Sequence, residues 1–284
     1  MNNILKSIFV SAFIMYASFS VIQSSIHLFS YGFSYRYIGR LIVSFTISFL
    51  FIKAMTLHNT ARTSANLWFR TAIIFAGFLI SIIGGGMYEN DGIIGSSPSF
   101  ILLVGWLIYI FWYSRFDKRA HNFEVGAYLP EFILEDTDKN KISSKSFQGK
   151  STIFMFYRGN WCPLCMAQIK EIAKQYKELE NRGVTMVLTS PQPHHFSKSL
   201  AKKYNVNFQF LVDVENKVAK QLDIFHKNGL PLGMQMFGYK NDTVMPTILI
   251  TDTSGKIIFA DLTDNYRVRP EPETFFKILD NNLI

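Results

Sequence analysis

The run of apolar positions divides the chain near residue 120. Before that point apolar residues come in long unbroken stretches; beyond it they alternate or recur in short periods. No charged residue occurs from Ser7 to Tyr35, and Ile8 to Ile26 is almost continuously apolar. A hydrocarbon layer about 30 Å thick needs roughly 20 such residues in a helix. Further stretches cover Ile38 to Leu57, with Arg40 and Lys53 near the ends where long stems can snorkel, and Thr71 to Tyr88, with Gly84, Gly85 and Gly86. A fourth covers Ile101 to Tyr113, with an entry as early as Ile93, and gathers Trp and Tyr at its far end, as suits a membrane–water interface. Four spans are therefore expected. The first is too long for a cleaved secretion signal and lacks an Ala-x-Ala-like exit. The glycine triplet reads as a close helix contact.

From about His121 strand and helix patterns alternate. Leu129–Leu134 is strand-like and precedes a polar turn at Asp136–Asn140. Thr152–Tyr157 is continuously apolar, as a strand covered on both faces would be. Pro163 to Arg182 predicts one helix with Ile169, Ile172, Ala173, Tyr176 and Leu179 on one face, opened by a first-turn proline and stopped by Gly183. Strands follow at Val184–Thr189 and Phe208–Val212, and helices at Phe196–Tyr204, Asn216–Asp223 and Glu273–Asp280. Thr247–Thr251 and Lys256–Asp261 form an antiparallel hairpin around Thr253-Ser254-Gly255. The expected architecture is a membrane α-helical N-terminal module of about four helices, residues 1–120, joined to an α/β domain, residues 121–284.

Composition sharpens this division. Of 284 residues, 49% are hydrophobic and only 18% charged, against about a quarter in ordinary soluble domains. Disorder is excluded by that apolar content. Residues 1–120 carry nine Lys/Arg and three Asp/Glu, and the remainder twenty and eighteen, so most of the formal +8 flanks the apolar stretches. The polar half carries no basic stripe, so no nucleic-acid partner is expected. With four spans, Lys6, Lys53, Arg62, Arg70, Arg115, Lys118 and Arg119 fall on one side. Arg36, Arg40 and an acidic loop with Glu89 and Asp91 fall on the other. That asymmetry predicts a multi-pass protein whose termini and α/β domain face the cytoplasm.

Both cysteines lie in Trp161-Cys162-Pro163-Leu164-Cys165, at a strand–helix corner. Free N–H groups and the helix dipole favour a negative sulfur at Cys162, and thiolate is the reactive form. Cys165, one turn along, is close enough to close a disulfide, so the pair can attack a disulfide and resolve the mixed intermediate. Inert core cysteines and a structural disulfide fit this spacing poorly. A zinc site with His194 and His195 is a further alternative, although adjacent histidines diverge. No cofactor beyond the cysteine pair is expected. Arg40 and Lys53 are the candidates for charge-based transport chemistry.

Tyr128 to Pro272 resembles the thioredoxin-like superfamily, and within it the alkyl hydroperoxide reductase/thiol-specific antioxidant, or peroxiredoxin-like, family. The likeness rests on Leu129-Pro130-Glu131-Phe132, on Phe156 through Cys165, on Asp213 through Ala219, and on Met245-Pro246-Thr247 at the thioredoxin cis-proline position. The resemblance implies a thioredoxin fold and an antioxidant thiol–disulfide oxidoreductase. Cys162 would be the nucleophile and Cys165 the resolving thiol. Trp161 would cover the pair, and Pro163, Met245, Pro246 and Thr247 would meet substrate. Implied partners are a disulfide-bearing protein or a small thiol or hydroperoxide, a thiol reductant and the lipid bilayer. The family also allows a thiol peroxidase. Its Pro-x-x-x-Thr-x-x-Cys motif falls on Arg158, Cys162 and Cys165, so Cys165 would attack peroxide while the proline and threonine are missing. A peroxide-polarising arginine is not found near Met245-Pro246, and Arg158 is the candidate substitute. Gly233 through Phe237 reads as a mobile loop, core filling or a binder of apolar partners; the resemblance places Tyr266-Arg267-Val268-Arg269 at the rim, where the alternative is a solvated charge pair; and His194 and His195 read as exposed.

Overall fold

The computed structural model describes residues 2–88, 97–116 and 121–282. The expected acidic loop, the entry from Ile93, Lys118 and Arg119, and the predicted boundary at residue 120 lie outside them. Among the described residues four helices precede the sheet: α1 (Asn2–Tyr31), α2 (Tyr35–Leu57), α3 (Trp68–Tyr88) and α4 (Ser97–Ile108), the last running into a π-helical turn at Tyr109–Tyr113. The first three are long and apolar enough to cross a membrane; the fourth, with its π turn, is shorter. Each helix begins earlier than its apolar run predicts, because polar turns still satisfy their backbone in a helix. Ser34, for instance, caps α2 by accepting from the Tyr37 N–H at 3.3 Å.

The bundle buries small polar residues beside an apolar core of Phe13, Val43, Ile47, Ile74, Leu102 and Trp106, and leaves many large apolar residues on its surface. Ser20, Ser24, Ser44, Ser48, Ser81 and Ser99 are buried, whereas Phe19, Ile22, Ile26, Phe45, Phe49 and Ile52 are exposed. α2 and α3 approach so closely at Gly39 that a Cβ there would stand 2.4 Å from the Gly77 carbonyl oxygen. Gly84 sits on the Tyr35 side chain in the same way, so this member of the glycine triplet makes a helix contact as expected. Arg40 differs from its expected position at a snorkelling end. It is buried and donates to Ser20 Oγ at 3.2 Å and to Gln23 Oε1 at 2.8 Å. These two polar side chains, one turn apart on α1, hold it inside.

The α/β part contains β1 (Ile133–Glu135), β2 (Lys141–Ser143), β3 (Thr152–Phe156), α5 (Pro163–Lys174), α6 (Tyr176–Asn181), β4 (Thr185–Ser190), α7 (His194–Tyr204), β5 (Gln209–Val212), α8 (Lys217–Gln221), β6 (Phe225–His226), β7 (Thr243–Val244), β8 (Thr247–Thr251), β9 (Ile257–Asp261) and α9 (Pro272–Asn282). Seven strands form one sheet in the order β2-β1-β5-β4-β3-β8-β9, and β6 pairs with β7. β3 and β4 run parallel, while β8 and β9 return antiparallel. Ile153, Met155, Met186, Leu188, Ile248 and Ile250 pack on one face of the sheet. Phe154, Phe156, Val187 and Leu249 pack on the other. Two covered faces explain why these strands read as unbroken apolar runs.

Several elements depart from expectation, among them the short β6–β7 pair, for which no strand was predicted. The helix predicted from Pro163 to Arg182 breaks at Gln175, whose backbone (φ −102°, ψ 15°) leaves the helical region and separates α5 from α6. The edge strand β2 was not predicted; three residues with one apolar side chain carry too little pattern, and its place is set by pairing with β1.

The two parts are bolted together. Arg267 donates to Ser114 Oγ at 2.8 Å, Thr63 Oγ1 at 2.9 Å, and the carbonyls of Ser64 and Ala65 at 3.0 and 2.7 Å. The hydroxyls of Tyr109 and Tyr266 lie 2.9 Å apart, Lys6 donates to the Arg115 carbonyl at 2.5 Å, and Arg62 pairs with Glu171. Thus the first turns of α1, the 58–67 connection and the end of α4 all meet the sheet domain, the three segments that charge counting puts on one side.

Candidate functional site

β3 is the central strand, and the chain leaves its C-terminal end through Tyr157, Arg158 and Gly159. Gly159 adopts φ +142°, and a Cβ on it would come within 2.8 Å of Trp161 Nε1, so the corner before the cysteines needs glycine twice over. Cys162 is the N-cap of α5 and Pro163 occupies its first turn, as expected. Cys165 follows one turn later. Both thiols are free and buried, with their sulfurs 2.7 Å apart.

Sequence reasoning missed the group that defines the electrostatics. Arg269, from the segment after β9, is buried against the pair. Its Nη2 lies 3.5 Å from Cys165 Sγ and 4.0 Å from Cys162 Sγ, and its Nη1 lies 3.6 Å from Cys165 Sγ. The other partners of this guanidinium are the Gln168 side-chain oxygen at 2.9 Å and the Tyr266 carbonyl at 2.9 Å. None of these is a carboxylate, so the anion that balances the buried cation is a thiolate. The expected solvated charge pair is therefore wrong for both members, Arg267 and Arg269 being 1% and 5% exposed. No local signal marked them: an Arg-Val-Arg alternation points the valine inward, yet Val268 is the exposed member.

The charge settles on the second sulfur. Burial alone would raise the Cys165 thiol, but the hydrogen bond from Cys162 and the Arg269 guanidinium together pull it well below the ordinary thiol range. Cys162 is pushed well up, by burial first and then by the hydrogen bond to and charge of Cys165. The expectation of a depressed Cys162 is thereby corrected. Its N-cap position is real, yet desolvation and a neighbouring anion outweigh a dipole effect worth about 1 kcal/mol.

The remaining site residues gather nearby to different degrees. The Arg158 guanidinium lies 4.6 Å over the Trp161 ring and 5.8 Å from the Tyr266 ring, and donates to the Gly229 carbonyl. Trp161, half-buried, packs against the cluster that contains both cysteines, as do Tyr113 and Phe116. Thr247 pairs in register with Phe156, which brings Met245-Pro246-Thr247 beside the end of β3. The Met245–Pro246 peptide is trans, not the cis expected. Trans is the preferred state of an X–Pro bond, and the Met245 N–H is held by the Ile224 carbonyl at 2.8 Å, extending the β6–β7 pairing. The Met245 carbonyl accepts from Thr247 Oγ1 at 2.9 Å, leaving one lone pair. His194 bonds to Glu135 at 2.8 Å, and among the described residues no group of three or more His, Cys, Asp or Glu comes together, so the zinc alternative has no assembled ligand set.

A strand–turn–helix corner bearing the cysteine pair, set in a sheet of this order, is what the resemblance implied, and the comparison with known families agrees. The AhpC/TSA family model matches residues 125–260. This thioredoxin-like domain is similar to the thiol-disulfide oxidoreductase ResA of Bacillus subtilis (strain 168), 27% identical over 138 residues, which are 47% of this chain and 64% of that protein. The ResA of Bacillus cereus (strain ATCC 10987 / NRS 248) is 25% identical over 156 residues, 55% of this chain and 77% of the relative. Chloroplastic peroxiredoxin Q of Triticum aestivum is 31% identical over 96 residues, 34% of this chain and 44% of that one. The crystal structure of a peroxiredoxin-like protein from Aquifex aeolicus aligns with 56% of this chain and 87% of its own, at TM-score 0.47 and 14% identity. The AhpC/TSA match lies wholly within the sheet domain and leaves the four helices uncovered.

Proposed function

We propose that the chain is a membrane-anchored thiol–disulfide oxidoreductase, residues 1–120 forming the anchor and 121–284 the redox domain. The observation that carries the chemistry is the buried dithiol sharing one negative charge against Arg269. The 2.7 Å sulfur–sulfur contact lets the proton pass from one sulfur to the other with little movement. Cys162, at the helix start, is the outer sulfur and the attacking one; Cys165 resolves. Thiolate attack on a substrate disulfide forms a mixed disulfide and expels one substrate thiolate. Cys165 then displaces the second, closing Cys162–Cys165, so two protein thiols are oxidised as one substrate disulfide is reduced. A thiol reductant restores the pair, and no other cofactor is needed. Trp161, Pro163, Met245, Pro246 and Thr247 form the wall that meets substrate. Cys165→Ser incubated with a disulfide-bearing protein should accumulate a mixed disulfide through Cys162, and Cys162→Ser should not. The opposite pattern would move the attacking role to Cys165.

One observation favours a peroxidase as the second reading. Arg269 stands on Cys165, the sulfur that falls at the peroxide-attacking position, and supplies the cation that was not apparent near Met245-Pro246. Cys165 would take one peroxide oxygen as sulfenic acid and release an alcohol or water. Cys162 would condense with it, releasing water and forming the disulfide. Peroxide consumption that survives Cys162→Ser and is lost in Cys165→Ser supports this reading over the first.

Membrane insertion is supported by three helices of spanning length and by the phenylalanines and isoleucines exposed on their outer surface, with serines buried between them, since a lipid surface accommodates what water does not. The cytoplasmic orientation is supported by cations. Lys6, Lys53, Arg62, Arg70 and Arg115 belong to the end that meets the redox domain, and Arg40 on the opposite count is buried within the bundle rather than placed in a loop. In a chain with both cysteines replaced by serine and Ser254→Cys added, a membrane-impermeant maleimide should label intact cells only after permeabilisation.

A further inference from the structure

The connection between β6 and β7 carries a run of exposed apolar side chains that neither the sheet nor the dithiol uses. Leu232, Met236 and Phe237 are 54%, 88% and 67% exposed. They sit on and around a short 3-10 turn, Met234–Phe237, closed at both ends by Gly233 and Gly238 in the left-handed region. The sequence alone leaves this segment as a mobile loop, core filling or a binder of apolar partners; the structure shows that it fills no core.

Its position is set by α1. Asn3 donates to the Lys227 carbonyl at 2.9 Å, Ser7 Oγ to the Leu230 carbonyl at 2.5 Å, and Ser11 Oγ to the Leu232 carbonyl at 2.8 Å. The Leu232 N–H also donates to the Ser7 carbonyl at 3.2 Å. Each step along the loop is thus matched by about one turn along the helix, roughly 5 Å of rise. The loop descends α1 from its polar start into the uncharged segment that begins at Ser7. Its apolar tip continues the outward surface of α1, where Ile4, Leu5, Ile8 and Met15 are exposed. Lys227 and Lys240 flank the run in sequence, where a headgroup layer accepts cations.

We propose that the 230–238 loop is a second membrane contact, its Leu232, Met236 and Phe237 side chains dipping into the lipid interface beside α1. This rests on the reading of α1 as a membrane span. The occupant is lipid rather than a protein partner because the loop is hydrogen-bonded at a fixed depth along α1 and its exposed side chains are continuous with the apolar helix surface. The contact bears on the redox site as well. The base of the loop is Gly229, whose carbonyl holds the Arg158 guanidinium over Trp161, so lipid that steadies the loop also steadies the wall next to Cys162.

The experiment uses the full chain with both cysteines replaced by serine, reconstituted into phosphatidylcholine–phosphatidylglycerol vesicles. Single cysteines at Met236→Cys, Phe237→Cys, Met15→Cys or Ser254→Cys carry an environment-sensitive fluorophore. Brominated lipids quench from within the bilayer and iodide quenches from water. Labels at 236 and 237 should be quenched severalfold more by brominated lipid than the label at 254, and less by iodide. If they behave like the label at 254 while the label at 15 is quenched by lipid, the loop proposal is overturned and the span stands. If the label at 15 also remains in water, the membrane reading fails and the loop proposal with it.

Discussion

Replacing Arg269 by glutamine tests the central electrostatic claim. The guanidinium stands 3.5 Å from Cys165 Sγ, with a second nitrogen at 3.6 Å. At an effective dielectric constant near 20, unit charges at that separation attract by about 5 kcal/mol, equivalent to roughly 3 pKa units. Sharing of the positive charge over three nitrogens and of the negative charge over two sulfurs reduces this, so an upward shift of about 1–3 units is expected. Glutamine keeps a donor for the Gln168 oxygen and removes only the charge, which limits the loss of packing. The assay is the ultraviolet absorbance of thiolate as a function of pH, the oxidised protein serving as blank, with thermal unfolding of the same sample confirming the fold. The rate of exchange with oxidised glutathione at neutral pH should fall in parallel, since less thiolate is present. A reduced pair that titrates within about half a unit of the wild type would refute the argument. The charge on sulfur would then arise from the helix corner and the second thiol alone.

Three further outcomes follow from the same geometry. The folded-state pKa of Cys165 lies below its unfolded value, so its contribution to stability is present above about pH 8.5 and is lost as pH falls through the folded value; Cys162 is shifted upward and acts oppositely above about pH 8.5. The stability of the reduced wild type relative to the double serine variant should therefore rise from acidic pH to a maximum near 8.5 and then decline, as read by urea unfolding, and the oxidised protein should show no such dome. Gly159→Ala forces a Cβ to within 2.8 Å of Trp161 Nε1 at φ +142°, and should cost about 1–3 kcal/mol in urea unfolding while displacing Trp161 and changing its fluorescence. Arg267→Gln removes charge-assisted bonds to Thr63, Ser64, Ala65 and Ser114 and should destabilise by about 3 kcal/mol or more, with the 58–67 segment becoming sensitive to limited proteolysis before the sheet domain unfolds.

The elements legible in the sequence are those whose pattern is local. β3, β4 and β8 announce themselves because their consecutive apolar residues meet two cores in alternation, and α1 to α3 because their apolar runs outlast any soluble helix face. The cysteine pair was legible for the same reason: strand, corner, proline and helix follow within a few residues. What was hidden depends on chain closure. Arg269 reaches the dithiol from 104 positions away, carried by the turn after β9, and no local spacing marks it as different from a surface arginine. Gln175 has no helix-breaking side chain, so the division between α5 and α6 does not show in the sequence pattern. The trans state of Met245–Pro246 reflects pairing with Ile224, which only the folded β6–β7 ribbon supplies.

The position of the dithiol against the helices joins these observations. Tyr113 packs against both the bundle core and the cluster around Cys162, and rings stack from Trp106 through Tyr109 to Tyr113, which meets Tyr266 edge-on. The same short segment, Tyr266 through Arg269, sends Arg267 into the helical part and Arg269 onto the sulfurs, while Tyr266 supplies the carbonyl that steadies Arg269. A buried cation is costly unless an anion accompanies it. Docking of the helices keeps water from Arg269, and the two thiols supply the compensating charge only when one of them ionises. Helices and dithiol are coupled through three residues, so loosening the Arg267 bolt should hydrate Arg269 and raise the thiol pKa even though residue 267 touches neither sulfur.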